Sequence, residues 1–365
     1  INTVTTAVPF LTITPDSRAG GMGDTGVATS PDANSMHWNP AKYAFADKEM
    51  GLAVSYTPWL RKLIPDINLA YLSGYKRLDK HQVLAFSLCY FALGDITFTD
   101  IVGNTTQQFN PNEFSVDGAY ARSFSDRFSG SIAFRFIYSN LTGGYYVNGI
   151  ESHPGMAGSA DLSVYYRNKD LRISDYDATL SFGANISNIG SKISYTSNSD
   201  KDFIPINLKL GTAFTIDFDD YNSLTAAFDV NKLLVPSPPL YYTDSVDLEG
   251  DPVIEAGFDP NVSVPVGIMH SFYDAPGGLS EELKEITYSV GLEYWYAKQF
   301  AIRGGYFYEA ATKGNRKYFT VGVGLRMNVF GLDFAYLVPI FQNNPLANTL
   351  RFSLLFDFAG LNAKK

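Results

Sequence analysis

Few residues in this chain are of a type that does chemistry, and they are scattered. There are four histidines, His37, His81, His153 and His270, and one cysteine, Cys89. No two histidines stand at a metal-ligand spacing, and a single thiol supplies neither a second ligand nor an intrachain disulfide. No Gly-x-Ser-x-Gly elbow and no phosphate-binding loop occurs. A Ser–His pair carried on β-strands remains the one catalytic arrangement to consider. However, His81 falls in an expected turn and His270 in a long loop, so no strand carries an obvious base. The residues therefore predict no enzyme, no metal and no cofactor, and a function must be sought in how the chain is built.

The dominant pattern is alternation with a period of two, which places every second side chain on one face of a strand. From Phe319 to Met327 each odd residue is apolar and each even one is small or charged. Ile132, Phe134, Phe136 and Tyr138 oppose Ala133, Arg135 and Ser139; Leu350, Phe352, Leu354, Phe356 and Phe358 oppose Arg351, Ser353 and Asp357. Ile206, Leu208, Leu210, Phe214 and Ile216 share one face, with Thr212 among them. A soluble β-sandwich also alternates, but its strands average about five or six residues. Here the runs are about twice that, and their non-apolar face carries charges and glycines mid-strand, as the interior of a membrane barrel does.

Composition agrees with a barrel. Of 365 residues, 27 are Phe and 24 Tyr; aromatics reach 15% and charged residues only 18%. A membrane barrel shows such rings to lipid and in two interfacial girdles. No run of about 18 apolar residues could form a spanning helix. The net charge of −9 argues against nucleic acid, which needs clustered cations. The chain opens at Ile1 with no leader, as removal of a signal peptide would leave it, although a shortened chain would look the same.

The expected fold is all-β, a fourteen-stranded antiparallel transmembrane barrel. Its strands lie near 49–57, 67–77, 82–98, 113–124, 128–140, 159–169 and 177–188, then 205–217, 223–235, 286–297, 300–310, 317–328, 331–341 and 349–358. Short turns at 78–81, 125–127, 170–176, 218–222, 298–299 and 329–330 alternate with longer loops at 58–66, 99–112, 141–158, 189–204, 236–285, 311–316 and 342–348. That alternation is the outer-membrane topology, short turns periplasmic and long loops external. An even strand number then puts both termini in the periplasm. Arg135, Arg167, Lys209, Arg303, Arg326 and Arg351 fall on the inner face with Asp161, Asp217, Asp229, Glu293, Asp333 and Asp357. The mixed signs suit a salt-bridged interior better than a charge-selective pore.

Two segments do not alternate. The loop at 236–285 is long for a structureless connection and so is a candidate functional element. It opens on Pro236-Ser237-Pro238-Pro239, and Ser280 before Glu281-Glu282-Leu283 is placed to cap a short helix. Its Tyr241, Tyr242, Phe258, Ile268, Met269 and Phe272 either fold over the barrel mouth or form a docking surface for another protein. Residues 1–48 are rich in small residues: Arg18-Ala19-Gly20-Gly21-Met22-Gly23-Asp24-Thr25-Gly26, then His37-Trp38-Asn39-Pro40-Ala41. Irregular backbone enters a membrane barrel only inside its lumen, so this segment reads as a plug, divided from the barrel proper at 49–365.

Here a resemblance enters. Arg18, Gly21, Gly23, Gly26, Ala28, Asp32, Ala33, Asn39, Pro40 and Ala41 resemble the N-terminal hatch of the FadL family of outer-membrane barrels. The whole block from Val8 to Pro40, with Pro9-Phe10-Leu11 and Pro15-Asp16, is similar to one branch, the PorV family of the type IX secretion system in Bacteroidetes. That resemblance implies a non-enzymatic secretion component. Its partners would be the giant translocon barrel, the C-terminal signal domains of secreted cargo and the sortase attachment complex, in a membrane of lipid and lipopolysaccharide. The wider family implies the alternative, a transporter admitting hydrophobic molecules; a role in lipopolysaccharide O-deacylation is a third.

Overall fold

The computed structural model describes residues 2–60, 66–99, 102–144, 146–147, 150–196, 201–246, 252–340, 346 and 349–358. Fourteen antiparallel strands close on themselves, the first pairing with the last. They are β1 Met50–Pro58, β2 Ile67–Arg77, β3 Gln82–Leu93, β4 Asn112–Ser123, β5 Phe128–Asn140, β6 Gly155–Ile173 and β7 Tyr176–Gly190. The second half comprises β8 Asn207–Asp217, β9 Asn222–Leu233, β10 Thr287–Tyr296, β11 Phe300–Tyr308, β12 Lys317–Met327, β13 Phe330–Pro339 and β14 Leu350–Phe358. Closure leaves no unpaired strand edge, which lipid could not satisfy.

Each expected strand is present, and the faces follow the alternation. Phe134 and Val321 are 64% and 51% exposed on the outer wall, whereas Arg351 is 1% exposed inside it. Phe352 is likewise exposed, Phe214 half-exposed, and Arg135 and Arg326 are paired with interior carboxylates.

The expected segments depart from the structure at their ends. The run 82–98 stops at Leu93, because Gly94 takes a φ of +84° and turns the chain out of the wall. Ile96–Thr99 then pairs with Thr105–Phe109 in a hairpin of its own. The turn expected at 170–176 shrinks to the two residues between β6 and β7, with Ser174 at φ +54°. Ile206 precedes β8 and is buried at the rim beside Phe203 and Leu234, so the strand's parity does not reach it. Of the loop at 342–348, only Leu346 lies within the described residues.

The loop at 236–285 is not structureless. It holds a hairpin, Leu240–Val246 with Pro252–Ala256, and a helix α1, Val264–His270. Ser280 caps nothing: the following helical turn begins at Leu279 with Gly278 at φ +65° as its cap, and the Ser280 hydroxyl donates to the Gly277 carbonyl.

The chain before β1 runs the length of the lumen. Residues 2–13 sit at the long-loop end, where Asn2 donates to the Pro238 carbonyl and Ala7 N–H to that of Phe203. Val8 and Phe10 pack there with Leu69, Phe91, Ile193 and Leu234. The expectation that both chain ends share the short-turn side therefore fails for residues 2–13. The strand count fixes only where β1 starts and β14 ends, and the segment before β1 spans the barrel.

Candidate functional site

Inside the barrel, small residues let the N-terminal segment approach the wall. Gly21 faces Gly322 so closely that a Cβ would stand 3.1 Å from its Cα. Gly23 has a φ of +68°, and a Cβ there would lie 2.5 Å from the Tyr306 nitrogen. Only glycine meets both demands. A Cβ on Gly26 would strike the Trp38 indole, whose Nε1 donates to Asp16 at 2.7 Å.

Polar pairing fixes the segment from within. Arg18 donates to Glu293 through Nε (2.9 Å) and Nη2 (2.7 Å), to Asp32 (3.0 Å), and to Ser30. Glu293 also accepts from Arg303 at 2.7 Å; Arg303 reaches Asp333 at 2.8 Å, and Asp333 accepts from Arg326. Three carboxylates thus alternate with three guanidiniums across plug and wall, so no member is left as an isolated buried charge.

Asp229, on β9, accepts from the N–H groups of Gly26 (2.7 Å) and Val27 (2.9 Å). The Lys42 ammonium donates to the Gly26 carbonyl at 2.7 Å and lies buried. Asn39 donates to the Val164 carbonyl at 2.9 Å and accepts from Ala41 N–H, so it caps the helical turn Pro40–Phe45, in which Pro40 is the first residue. Ala41 O accepts from Ser129 at 2.7 Å. Sequence reasoning missed Lys42, Asp16 and Trp38, because each partner is set by the fold rather than by spacing.

The histidines do not form a site. His81 Nδ1 is 3.0 Å from Ser123 Oγ, but Asp79 accepts from the His81 backbone N–H instead of orienting its ring. His37 is half-buried against Trp38, and His270 packs between Phe258 and Tyr273. Among the described residues no three His, Cys, Asp or Glu side chains converge as a metal cage.

At the long-loop end, ion pairs lash the 236–285 loop to the rim. Lys232, on β9, contacts Glu282 (2.9 Å) and Glu285 (2.8 Å); Lys313 contacts Glu281 (2.6 Å) and Glu285 (2.9 Å). Ser237 N–H donates to Asp274 and Ala275 N–H to Glu282. Nothing in the spacing of Lys232 or Lys313 marks them as anchors. Held this way, the loop exposes Tyr241, Tyr242, Phe258, Met269 and Phe272, while Ile268 packs against the apolar cluster of the rim. Beneath residues 3–14 lies a cavity of about 470 Å³ with a mixed lining, the charged Asp24, Lys209 and Arg351 beside the apolar Ile13, Trp59 and Phe307.

The family model described as type IX secretion system protein PorV matches residues 1–240. No curated protein matches the chain. Among solved structures, a TodX deltaS2S3 mutant monoaromatic hydrocarbon channel superposes with a TM-score of 0.51 at 13% identity, over 94% of this chain and 99% of that one. The toluene transporter TbuX of Ralstonia pickettii gives 0.46 at 13% identity, over 95% and 98%. A Pseudomonas aeruginosa FadL homologue gives 0.47 at 13% identity, over 98% and 99%.

Proposed function

The chain belongs to the PorV family of type IX secretion system proteins, an outer-membrane β-barrel of that machinery, and from that premise we propose that its long-loop rim is a docking surface. On this reading it is a non-enzymatic component whose rim engages the translocon barrel, receives secreted cargo through its C-terminal signal domain, and passes it to the attachment complex. The long loops then face the cell exterior and the short turns the periplasm. The carrying observation is the aromatic surface of the 236–285 loop, exposed yet held by ion pairs on both sides. Interfaces draw most of their affinity from a few such aromatic anchors. Pre-anchoring lowers the ordering entropy that binding must meet.

A hydrophobic-molecule channel, as the TodX relatives are described, fits this lumen less well. The N-terminal segment fills its middle, and the cavity beside it sets the charged Asp24, Lys209, Arg316 and Arg351 among apolar side chains such as Ile13, Trp59 and Phe307.

Replacing the hairpin 240–256 with a short Gly-Ser linker tests the reading, since it spares Lys232, Lys313 and their glutamates. Such a loop change costs little entropy. Tagged protein purified from its own membranes should keep its barrel but lose the translocon barrel and cargo. Wild-type recovery of both partners would overturn the docking function and favour transport.

A further inference from the structure

The outer wall carries an oblique groove that the rim and lumen do not use. Its upper wall is a row of cross-strand neighbours, Tyr120, Ile132, Leu162, Ile186 and Leu208, on β4 to β8. The next row is Arg122, Gly130, Val164 and Ala184, and the one below it Phe128, Tyr166 and Phe182. Small side chains at Gly130 and Ala184 sink the surface beside the large side chains of the upper row into a groove of about 680 Å³. Across four strand spacings it runs about 19 Å, and strand tilt carries it obliquely across the membrane.

Arg122 marks its lower end. It is one residue from the end of β4 at the short-turn side, is exposed, and makes no side-chain hydrogen bond or ion pair among the described residues. Phe124 closes the groove beside it, lying over Gly130 so that a Cβ there would be 2.9 Å from its ring. A guanidinium at the level of the headgroups, with an apolar channel leading from it into the hydrocarbon, matches a phosphate joined to an acyl chain. A second protein in the groove would leave Arg122 facing apolar surface unless it brought its own anion.

We propose that this groove is a binding site for one glycerophospholipid of the short-turn-side leaflet, with its phosphate on Arg122 and an acyl chain along Gly130, Val164 and Ala184 beside the Ile132 row. The site is separate from the rim and independent of the docking function proposed there.

The test is native mass spectrometry of the full chain in mild detergent, titrated with palmitoyl-oleoyl phosphatidylethanolamine. Wild type should retain one lipid per barrel. Arg122→Gln should weaken retention about tenfold, the size of one charge-assisted hydrogen bond. Ala184→Leu, which fills the groove floor from outside, should weaken it whatever the headgroup. Both variants should show the unchanged heat-dependent gel mobility of a folded barrel. Equal retention by wild type and both variants would overturn the site, as would preference for lipopolysaccharide over the phospholipid. A photo-crosslinker at position 184 that captures polypeptide rather than lipid in cells would overturn it too.

Discussion

Arg18 and Glu293 are 275 residues apart in the chain, yet they meet inside the barrel in a two-pronged ion pair of 2.9 and 2.7 Å. The pair joins the N-terminal segment to β10, and through Arg303 and Asp333 it reaches β11 and β13. Removing one partner leaves the other charge buried, which costs about 3–5 kcal/mol. Arg18→Gln should therefore lower the urea midpoint of the barrel in lipid vesicles. Glu293→Gln should lower it further, because it takes a carboxylate from both Arg18 and Arg303 and leaves each with one partner, Asp32 and Asp333. Midpoints unchanged in both variants would show that the network carries no stability.

Gly23 tests the seating of the segment by shape rather than charge. Its φ of +68° and its approach to the Tyr306 nitrogen exclude any side chain. Strain of this kind costs about 1–3 kcal/mol before the steric overlap is counted. Gly23→Val should leave the strands paired but dislodge the segment, so that added protease cuts between residues 15 and 45. Resistance equal to wild type would mean that the wall yields at β11.

The barrel was legible in the sequence because strand alternation is a local property: Phe319 to Met327 shows its two faces without knowledge of any neighbour. Boundaries were less legible. Ile96 and Phe98 continue the alternation past Gly94, so nothing in the pattern marks the departure from the wall. Arg18 and the glycines stood out by type, but Glu293 and Asp229 as partners did not, since pairing across the lumen depends on closure. The groove beside Gly130 and Ala184 was hidden for the same reason; it exists only in the register between strands.

Val321 measures the membrane directly. It is about half exposed on the outer wall, while Thr320 beside it points inward and accepts from Gly23 N–H at 2.7 Å. Val321→Arg should cost about 2–4 kcal/mol if the residue lies near the bilayer midplane. The measurement is folding into vesicles by urea titration. A negligible cost would place Val321 at the interface and shift the lipid-facing band along β12.

The rim should respond to acid before the barrel does. Burial would raise the Glu281 and Glu285 carboxyls, but Lys313, with Gly277 N–H on Glu281 and Lys232 and Ser237 on Glu285, holds both below the usual 4.5. Burial would lower the Lys313 ammonium, yet the two glutamates raise it above 10.5. A depressed carboxylate contributes stability above its unfolded value and loses it as pH falls through the folded one. A raised ammonium contributes below its unfolded value and loses it as pH rises. The lashing is therefore complete from about pH 4.5 to pH 10.5 and fails on either side. Hydrogen exchange in the described parts of 236–285 should quicken below pH 4 while β1 to β14 stay protected. Glu281→Gln with Glu285→Gln should give the same loosening at pH 7, and with it weaker recovery of the translocon partner. If the loop in that double variant exchanges as slowly as in wild type, the ion pairs do not hold it, and its order comes from the packing of Ile268 and its apolar neighbours at the rim.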